Sequence, residues 1–229
     1  MNYQESIDYI NRIQIMGDKL GLDNIIRLTE ALGNPQKDLR FIHIAGTNGK
    51  GSAVSFLSHI LTAAGYKTAA HVSPYLERYN ERFQINNIPI PDDDLARITT
   101  DVKERIDELM AQGHPHPKKF EIETAVSLVW FHEQKCDAVV WEVGLGGRLD
   151  ATNVIDTPEL ALITALDLEH TELLGNTLAS IAYEKGGIIK ENGDVLLYPQ
   201  APEARQVIEK LCTERNARLH LASFDQLRQ

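Results

Sequence analysis

The 229-residue sequence predicts an α/β protein of the P-loop type: a doubly wound, mainly parallel sheet flanked by helices, with a small β-hairpin insertion. Three stretches carry that expectation. The apolar run Phe41-Ile42-His43-Ile44-Ala45 ends in Gly46-Thr47-Asn48-Gly49-Lys50-Gly51-Ser52. A segment with Val54, Leu57, Ile60 and Leu61 at one-face spacing follows, so the order is strand, glycine turn, helix start. Asp137-Ala138-Val139-Val140-Trp141-Glu142-Val143 is near-continuously apolar, as an interior parallel strand covered on both faces should be. Downstream, strand-like and helical segments alternate, which favours parallel strands joined by crossover helices.

Taken in order, Tyr3, Ile7, Ile10 and Ile13 or Ile15 have helical spacing, and Gly17 to Gly21 forms a break. Ile25, Ile26, Leu28 and Leu32 predict a second helix, stopped by Gly33-Asn34-Pro35. The first strand covers about 40–45, and the helix after the glycine turn ends near Gly65. Thr68 to Val72 is a second strand leading to Ser73-Pro74. Arg82 to Ile85 and Ile88 to Ile90, separated by Asn86-Asn87, read as a hairpin whose Pro89 confines one arm to a sheet edge. Pro91-Asp92-Asp93-Asp94 starts an acidic-capped helix that runs to about Gln112. His114-Pro115-His116-Pro117 reads as a solvated loop rather than a metal site. Helices are expected near 120–134, 177–185 and 203–215, and strands at Leu160 to Thr164 and Val195 to Leu197.

At 43% hydrophobic residues the chain can bury one substantial core as a single α/β domain. A formal charge of −10 argues against nucleic-acid or anionic-membrane partners. Cys136 and Cys212 match no metal or redox spacing and read as small buried hydrophobes. No signal-peptide core or apolar run of membrane length is present, so the expected location is the cytoplasm.

In open parallel sheets ligands sit beyond the carboxyl ends of the strands. That rule gathers Gly46 to Ser52, Ser73, Glu142 with the Gly144-Leu145-Gly146-Gly147-Arg148 turn, and Asp167, Glu169 and His170 on one edge. Glycines let backbone N–H groups approach an anion, and the following helix adds its positive end. The spacing departs from G-x-x-x-x-G-K-[ST], because Gly51 separates Lys50 from Ser52. A glycine-rich turn with an exposed lysine is the plainer alternative. Glu142 ends an apolar strand, where a carboxylate is costly unless it is paired or holds a cation. Its plainer alternative is a strand-end carboxylate that accepts backbone hydrogen bonds or pairs with Arg148, and that of His170 is a hydrogen-bonded loop histidine. Oxygen donors around a nucleotide suit Mg²⁺.

The same residues carry a resemblance. The loop Gly46 to Ser52, Val72-Ser73-Pro74-Tyr75-Leu76 with Asn80-Glu81-Arg82, and Phe120-Glu121 with Thr124 belong to it. So do Glu142-Val143-Gly144-Leu145-Gly146-Gly147-Arg148-Leu149-Asp150-Ala151-Thr152-Asn153, His170 with Leu174-Gly175, and Ile181-Ala182 with Glu184-Lys185. In this order the chain resembles the folylpolyglutamate synthase/dihydrofolate synthase branch of the Mur ligase superfamily over about residues 1–215, extra Gly51 included. The resemblance implies an ATP-dependent amide ligase that adds L-glutamate to a dihydropteroate or reduced-folate carboxylate through an acyl phosphate.

It further implies roles. Gly46, Thr47, Asn48, Gly49, Lys50, Gly51 and Ser52 would bind ATP. Ser52, Ser73 and Glu142 would hold one Mg²⁺, and His170 with Lys185, carbamylated in many relatives, a second. Lys50, Lys185 and His170 would be the catalytic group, although an unmodified Lys185 could instead pair with Glu184 or a phosphate. Pro74, Arg82, Phe120, Arg148 and Asp150 would line the substrate side, together with Leu22 to Ile26. Phe120 also suits an ordinary core position, and Asp150, Thr152 and Asn153 suit a role in shaping the glycine turn. Two residues depart from the family pattern: Glu169 stands where aspartate is usual, and Tyr75 where histidine is common. The resemblance implies a monomer acting on small molecules. It also implies that residues 1–229 are an N-terminal ATP-binding domain lacking its last part and the family's C-terminal domain, able to fold but not to turn over alone. Two other readings stay open: a Mur-type ligase for another carboxylate, and a nucleotide-binding module without catalysis.

Overall fold

The computed structural model describes residues 1–13 and 21–223. The chain opens with α1 (Tyr3–Arg12), α2 (Asp23–Ala31), β1 (Phe41–Ala45) and α3 (Lys50–Ala63). It continues through β2 (Thr68–His71), the hairpin arms β3 (Phe83–Ile85) and β4 (Ile88–Pro89), α4 (Asp92–Ala111) and α5 (Lys119–Glu133). Then follow β5 (Ala138–Glu142), β6 (Leu160–Ile163), α6 (Thr171–Leu174), α7 (Leu178–Gly186), β7 (Asp194–Leu197), α8 (Pro202–Glu214) and β8 (Arg218–Leu221). Of the break predicted from Gly17, residues up to 20 lie outside the described residues, as does Ile15.

The eight strands form one sheet in the order β4-β3-β2-β5-β1-β6-β7-β8. Only β3 runs against the others, pairing antiparallel with both β2 and β4; Asn86 and Asn87 take positive φ at the hairpin tip (51° and 63°), and the arm carrying Pro89 is the outermost strand. The apolar run around Val139 and Trp141 is the interior strand β5, flanked by β1 and β2.

Side chains alternate across the sheet, and the alternation separates two faces. Phe41, Ala69, Val139 and Trp141 pack with α1, α2, α4 and α5, while Ala161, Ile163, Val195 and Leu197 pack with α7 and α8. The intervening Ile44, Ala70 and Val140 meet Val54 of α3 on the opposite face. Among the described residues, α3 covers that face with no other long helix, so the winding is lopsided.

Three local expectations need correction. Ile60 is 62% exposed, because the buried stripe of α3 runs through Val54, Leu57, Ser58 and Leu61 at i, i+3, i+4 and i+7, and residue 60 falls outside it. His116 is half-buried rather than solvated: its Nδ1 lies 2.7 Å from the Pro117 carbonyl and its Nε2 3.4 Å from the Tyr9 hydroxyl. The edge strand β8 was not foreseen, since Arg218-Leu219-His220-Leu221 is short and half polar. No helix among the described residues is long and apolar enough to cross a membrane.

Candidate active site

The turn after β1 is built so that only glycine fits at its first position. Gly46 has φ +154°, and a Cβ there would stand 1.8 Å from Thr164 Oγ1. Gly49, at φ 87°, precedes α3, and no side chain caps that helix. The N–H groups of its first turn therefore stay available to an anion. The turn is tied to the segment after β6: the Thr47 and Asn48 N–H groups donate to the Ala165 carbonyl at 2.9 and 3.2 Å, and Thr47 Oγ1 donates to the Asp167 carbonyl at 3.0 Å.

Two ammonium groups converge there. Lys50 Nζ donates to the Gly46 carbonyl at 2.7 Å and Lys185 Nζ to the same carbonyl at 2.9 Å. Lys185 is 1% exposed and pairs with Glu169, not with Glu184, at 2.5 Å. Burial pulls its pKa down, the Glu169 pairing works against that, and Lys50 adds to the fall.

Glu142 closes β5 at 3% exposure, and its Oε2 accepts the Ser73 N–H at 3.3 Å. Burial pushes its carboxyl up to about 7, with the Ser73 N–H, Lys50 and Arg82 opposing the rise. Thr47 to Gly51, Ser73, Pro74 and Glu142 line one cavity of about 480 Å³. Glu81 also borders it, but its carboxylate is occupied by the N–H groups of Leu76, Glu77 and Arg78. Ser52 lies exposed on the first turn of α3 and does not line this cavity. His170, exposed with φ 46° ahead of α6, borders neither this cavity nor the next, but follows directly on Glu169.

No three His, Cys, Asp or Glu side chains among the described residues converge on a metal position. What the cavity offers is the Glu142 carboxylate, whose one described hydrogen bond is the 3.3 Å contact from the Ser73 N–H, with Ser73 itself on the cavity wall. That donor set fits a hard cation that takes its other ligands from phosphate and water.

A second cavity, of about 600 Å³, lies across Ser73-Pro74, which border both. Its apolar walls are Pro74, Phe120, Leu145, Leu149, Leu173 and Leu174, and Arg82 and Glu123 are among the charged residues that also line it, with Lys118, Lys119, Glu121, Asp150 and Glu184. Gly144 brings the backbone against Phe120: a Cβ at 144 would stand 2.6 Å from the ring. One expected substrate contact is placed otherwise, and a second lines the cavity while bracing its turn. Arg148 borders neither cavity; its guanidinium holds Glu184 at 2.9 Å and lies over the Tyr183 ring at 5.7 Å, clamping the turn to α7. Asp150 borders the second cavity, yet one oxygen accepts Leu145 N–H at 2.9 Å and the other Thr152 N–H at 3.0 Å, so its carboxylate shapes the turn. None of Leu22 to Ile26 lines the cavity; Ile25 is wholly buried in the core, and the adjacent Gly21 is the residue that reaches the wall.

Sequence reasoning missed Glu123 and Tyr79. The signal was present in α5, where Glu123 sits in the otherwise apolar and neutral stretch Ile122 to Phe131. A carboxylate there has to be buried with a partner.

Comparison with known proteins follows the same outline. The family described as Mur ligase middle domain matches residues 44–228. The dihydrofolate synthase/folylpolyglutamate synthase of Bacillus subtilis is 40% identical over 226 residues, covering 98% of this chain and 51% of that protein. An FPGS–AMPPCP–folate complex superposes with a TM-score of 0.93 at 36% identity, covering 96% of this chain and 54% of the other. FolC of E. coli in complex with DHPP and ADP superposes at 0.85 and 32% identity, covering 96% and 51%. The chain thus spans about half the length of the relatives it matches.

Proposed function

The chain belongs to the Mur ligase family, whose middle domain it matches over residues 44–228, and on that premise we propose that it is the ATP- and pterin-binding part of an amide ligase. The reaction joins L-glutamate to the carboxylate of dihydropteroate or a reduced folate. The observation that carries this reading is the partition at Ser73-Pro74. On one side lies a cavity with the glycine turn, Lys50 and Glu142; on the other, an apolar cavity walled by Phe120 that suits a flat heterocycle. A carboxylate-bearing ligand in the second cavity would meet a phosphoryl group in the first at that partition.

In the proposed reaction a carboxylate oxygen attacks the γ-phosphorus of ATP and the bond to the ADP oxygen breaks, giving an acyl phosphate. The glutamate nitrogen then attacks the acyl carbon, loses a proton, and inorganic phosphate leaves. Two anions must approach each other, so neutralising charge is the main task of the protein. Lys50 and the N–H groups opening α3 would hold the β- and γ-phosphates. Ser73 and Glu142 would hold Mg²⁺, which when bound supplies further charge neutralisation, and Ser52, next to the cavity-lining Gly51, would join them once its side chain turns inward. His170 and Lys185 would serve a second ion, Lys185 only if carbamylation displaced its pairing with Glu169. Phe120 and Pro74 would orient the pterin.

The test is ADP release with ATP, Mg²⁺, dihydropteroate and L-glutamate, run on the chain and on the chain joined to the region of its relatives that it does not cover. Glutamate-dependent release from the joined protein, abolished by Lys50→Ala, is expected. ATP hydrolysis indifferent to glutamate and dihydropteroate would remove the ligase reading.

A further inference from the structure

Arg82 lines the apolar side of the partition, as do Lys118 and Lys119, and it is the cation buried among aromatic rings there. Its guanidinium lies 5.2 Å from the Tyr75 ring centroid and 5.6 Å from that of Tyr79, two rings that meet edge-on at 5.7 Å. Behind it, Arg82 Nε is 3.6 Å from Glu123 Oε1, and the Tyr79 hydroxyl donates to that same oxygen at 2.8 Å. The side chains of Arg82 and Glu123 are 11% and 2% exposed. A charge pair so buried needs nearly ideal geometry, and this one is left short of it: Nε is buried with no hydrogen-bond partner. Both residues line the cavity. Among the described residues, the Arg82 Nη groups donate to nothing. The cation is therefore aimed by its neighbours without being satisfied by them.

We propose that Glu123 and Tyr79 are positioning residues that hold the Arg82 guanidinium ready for an oxyanion of the ligand occupying the apolar cavity, next to Ser73-Pro74. This rests on the ligase reading, which puts a carboxylate there; a nucleotide phosphate reaching across the partition is the other source of an oxyanion. Glu123 gives the guanidinium a fixed direction and the two tyrosine rings limit its swing. The remaining donors match a carboxylate in planar, two-point fashion.

The experiment titrates the chain with dihydropteroate, with its methyl ester, and with AMPPCP, comparing wild type with Glu123→Gln, Tyr79→Phe and Arg82→Gln. Wild type should prefer the acid to the ester about tenfold, the scale of one charge-assisted pair. Glu123→Gln should lose most of that preference while ester and AMPPCP affinities stay unchanged, and Arg82→Gln should lose all of it. Full acid preference in folded Glu123→Gln and Tyr79→Phe would overturn the positioning role. A fall in AMPPCP affinity with the acid preference intact would reassign Arg82 to phosphate. Failure of acid and ester alike to bind wild type would instead sink the folate reading. In that case hydrogen exchange at Arg82 Nε still decides the positioning role, since it should quicken in Glu123→Gln, and an unchanged rate overturns it. Circular dichroism identifies any variant that does not fold, and Glu123→Asp, which restores the charge, then replaces Glu123→Gln and should retain part of the preference; none retained overturns the assignment.

Discussion

Lys50 and Lys185 donate to one main-chain oxygen, the Gly46 carbonyl, at 2.7 and 2.9 Å. Two like charges at this range repel, and the repulsion is felt strongly where solvent is scarce. Glu169 offsets it on the Lys185 side. A polyphosphate at the turn would offset it on both. Lys185→Met keeps the length of the side chain and removes the charge, leaving Glu169 unpaired. It should cost about 1–3 kcal/mol of stability by urea unfolding. It should also weaken AMPPCP about tenfold by calorimetry. The double variant with Glu169→Gln should regain the stability and not the affinity. Unchanged nucleotide affinity in both would show that Lys185 only ties α7 to the turn.

Glu142 should set a pH dependence of opposite sign for stability and for function. Burial raises its carboxyl from 4.5 to about 7, so the folded state holds the proton more tightly than the unfolded state. The stabilisation is full below the unfolded pKa and is lost as pH rises through about 7, a change of about 3 kcal/mol for this group. Glu142→Gln cannot titrate. Its stability gain over wild type, read by urea unfolding, should grow between about pH 5 and about pH 8. Over the same range wild type should bind Mg²⁺·AMPPCP more tightly as the carboxylate ionises, and the variant should not. Parallel pH curves for the two proteins would refute the assignment.

How much of this was legible beforehand follows from the kind of signal each part leaves. The strand-turn-helix at Phe41 to Ser52 and the interior strand around Trp141 are local patterns, and both appear where the spacing puts them. Arg148 lies off the cavity it was expected to line, and Asp150 lines it while bracing its turn. A polar residue in a glycine turn reads the same whether it faces a ligand or braces the turn, and only tertiary partners, Glu184 for one and Leu145 and Thr152 for the other, decide. Glu169 shows the same limit: pairing it with Lys185 requires knowing that α7 returns beneath the first turn. Glu123 was legible in principle, as a charge on the buried side of α5.

Gly144→Ala should separate the two cavities functionally. Gly144 lacks positive φ, so alanine meets no backbone strain there, only the Phe120 ring 2.6 Å from the new methyl. A ring at the end of a side chain can swing, so stability should fall by no more than about 1–3 kcal/mol, the usual range for overpacking. The displaced ring would no longer wall the apolar cavity. Dihydropteroate affinity should fall about tenfold, while AMPPCP affinity holds. Equal losses of both ligands would mean that the turn, not the ring, had moved. Gly46→Ala makes the contrast. Its methyl would stand 1.8 Å from Thr164 Oγ1 at φ +154°, so nucleotide binding should be the property that suffers.

The row His71, Trp141, His43 runs across three neighbouring parallel strands in register. Both imidazoles are fully buried and each makes one hydrogen bond, His71 Nδ1 with Ser127 Oγ at 2.8 Å and His43 Nε2 with Thr152 Oγ1 at 2.9 Å. The other nitrogen of each has no partner. Burial, with Arg82 near His71 and Lys190 near His43, lowers both to about 3 from 6.5. The unfolded chain therefore takes up two protons that the folded chain refuses, and stability falls as pH drops below 6.5. Each histidine contributes a slope approaching 1.4 kcal/mol per pH unit in that window. His71→Gln keeps a polar partner for Ser127 without titrating. It should be less stable than wild type at neutral pH by about 1–3 kcal/mol, through lost packing on Trp141 and Phe120. Its urea midpoint should nevertheless fall less steeply on acidification, so that the two stability curves converge toward about pH 5. Curves that stay parallel would show that His71 is protonated in the folded state, against the burial and the unpaired Nε2 on which the expectation rests.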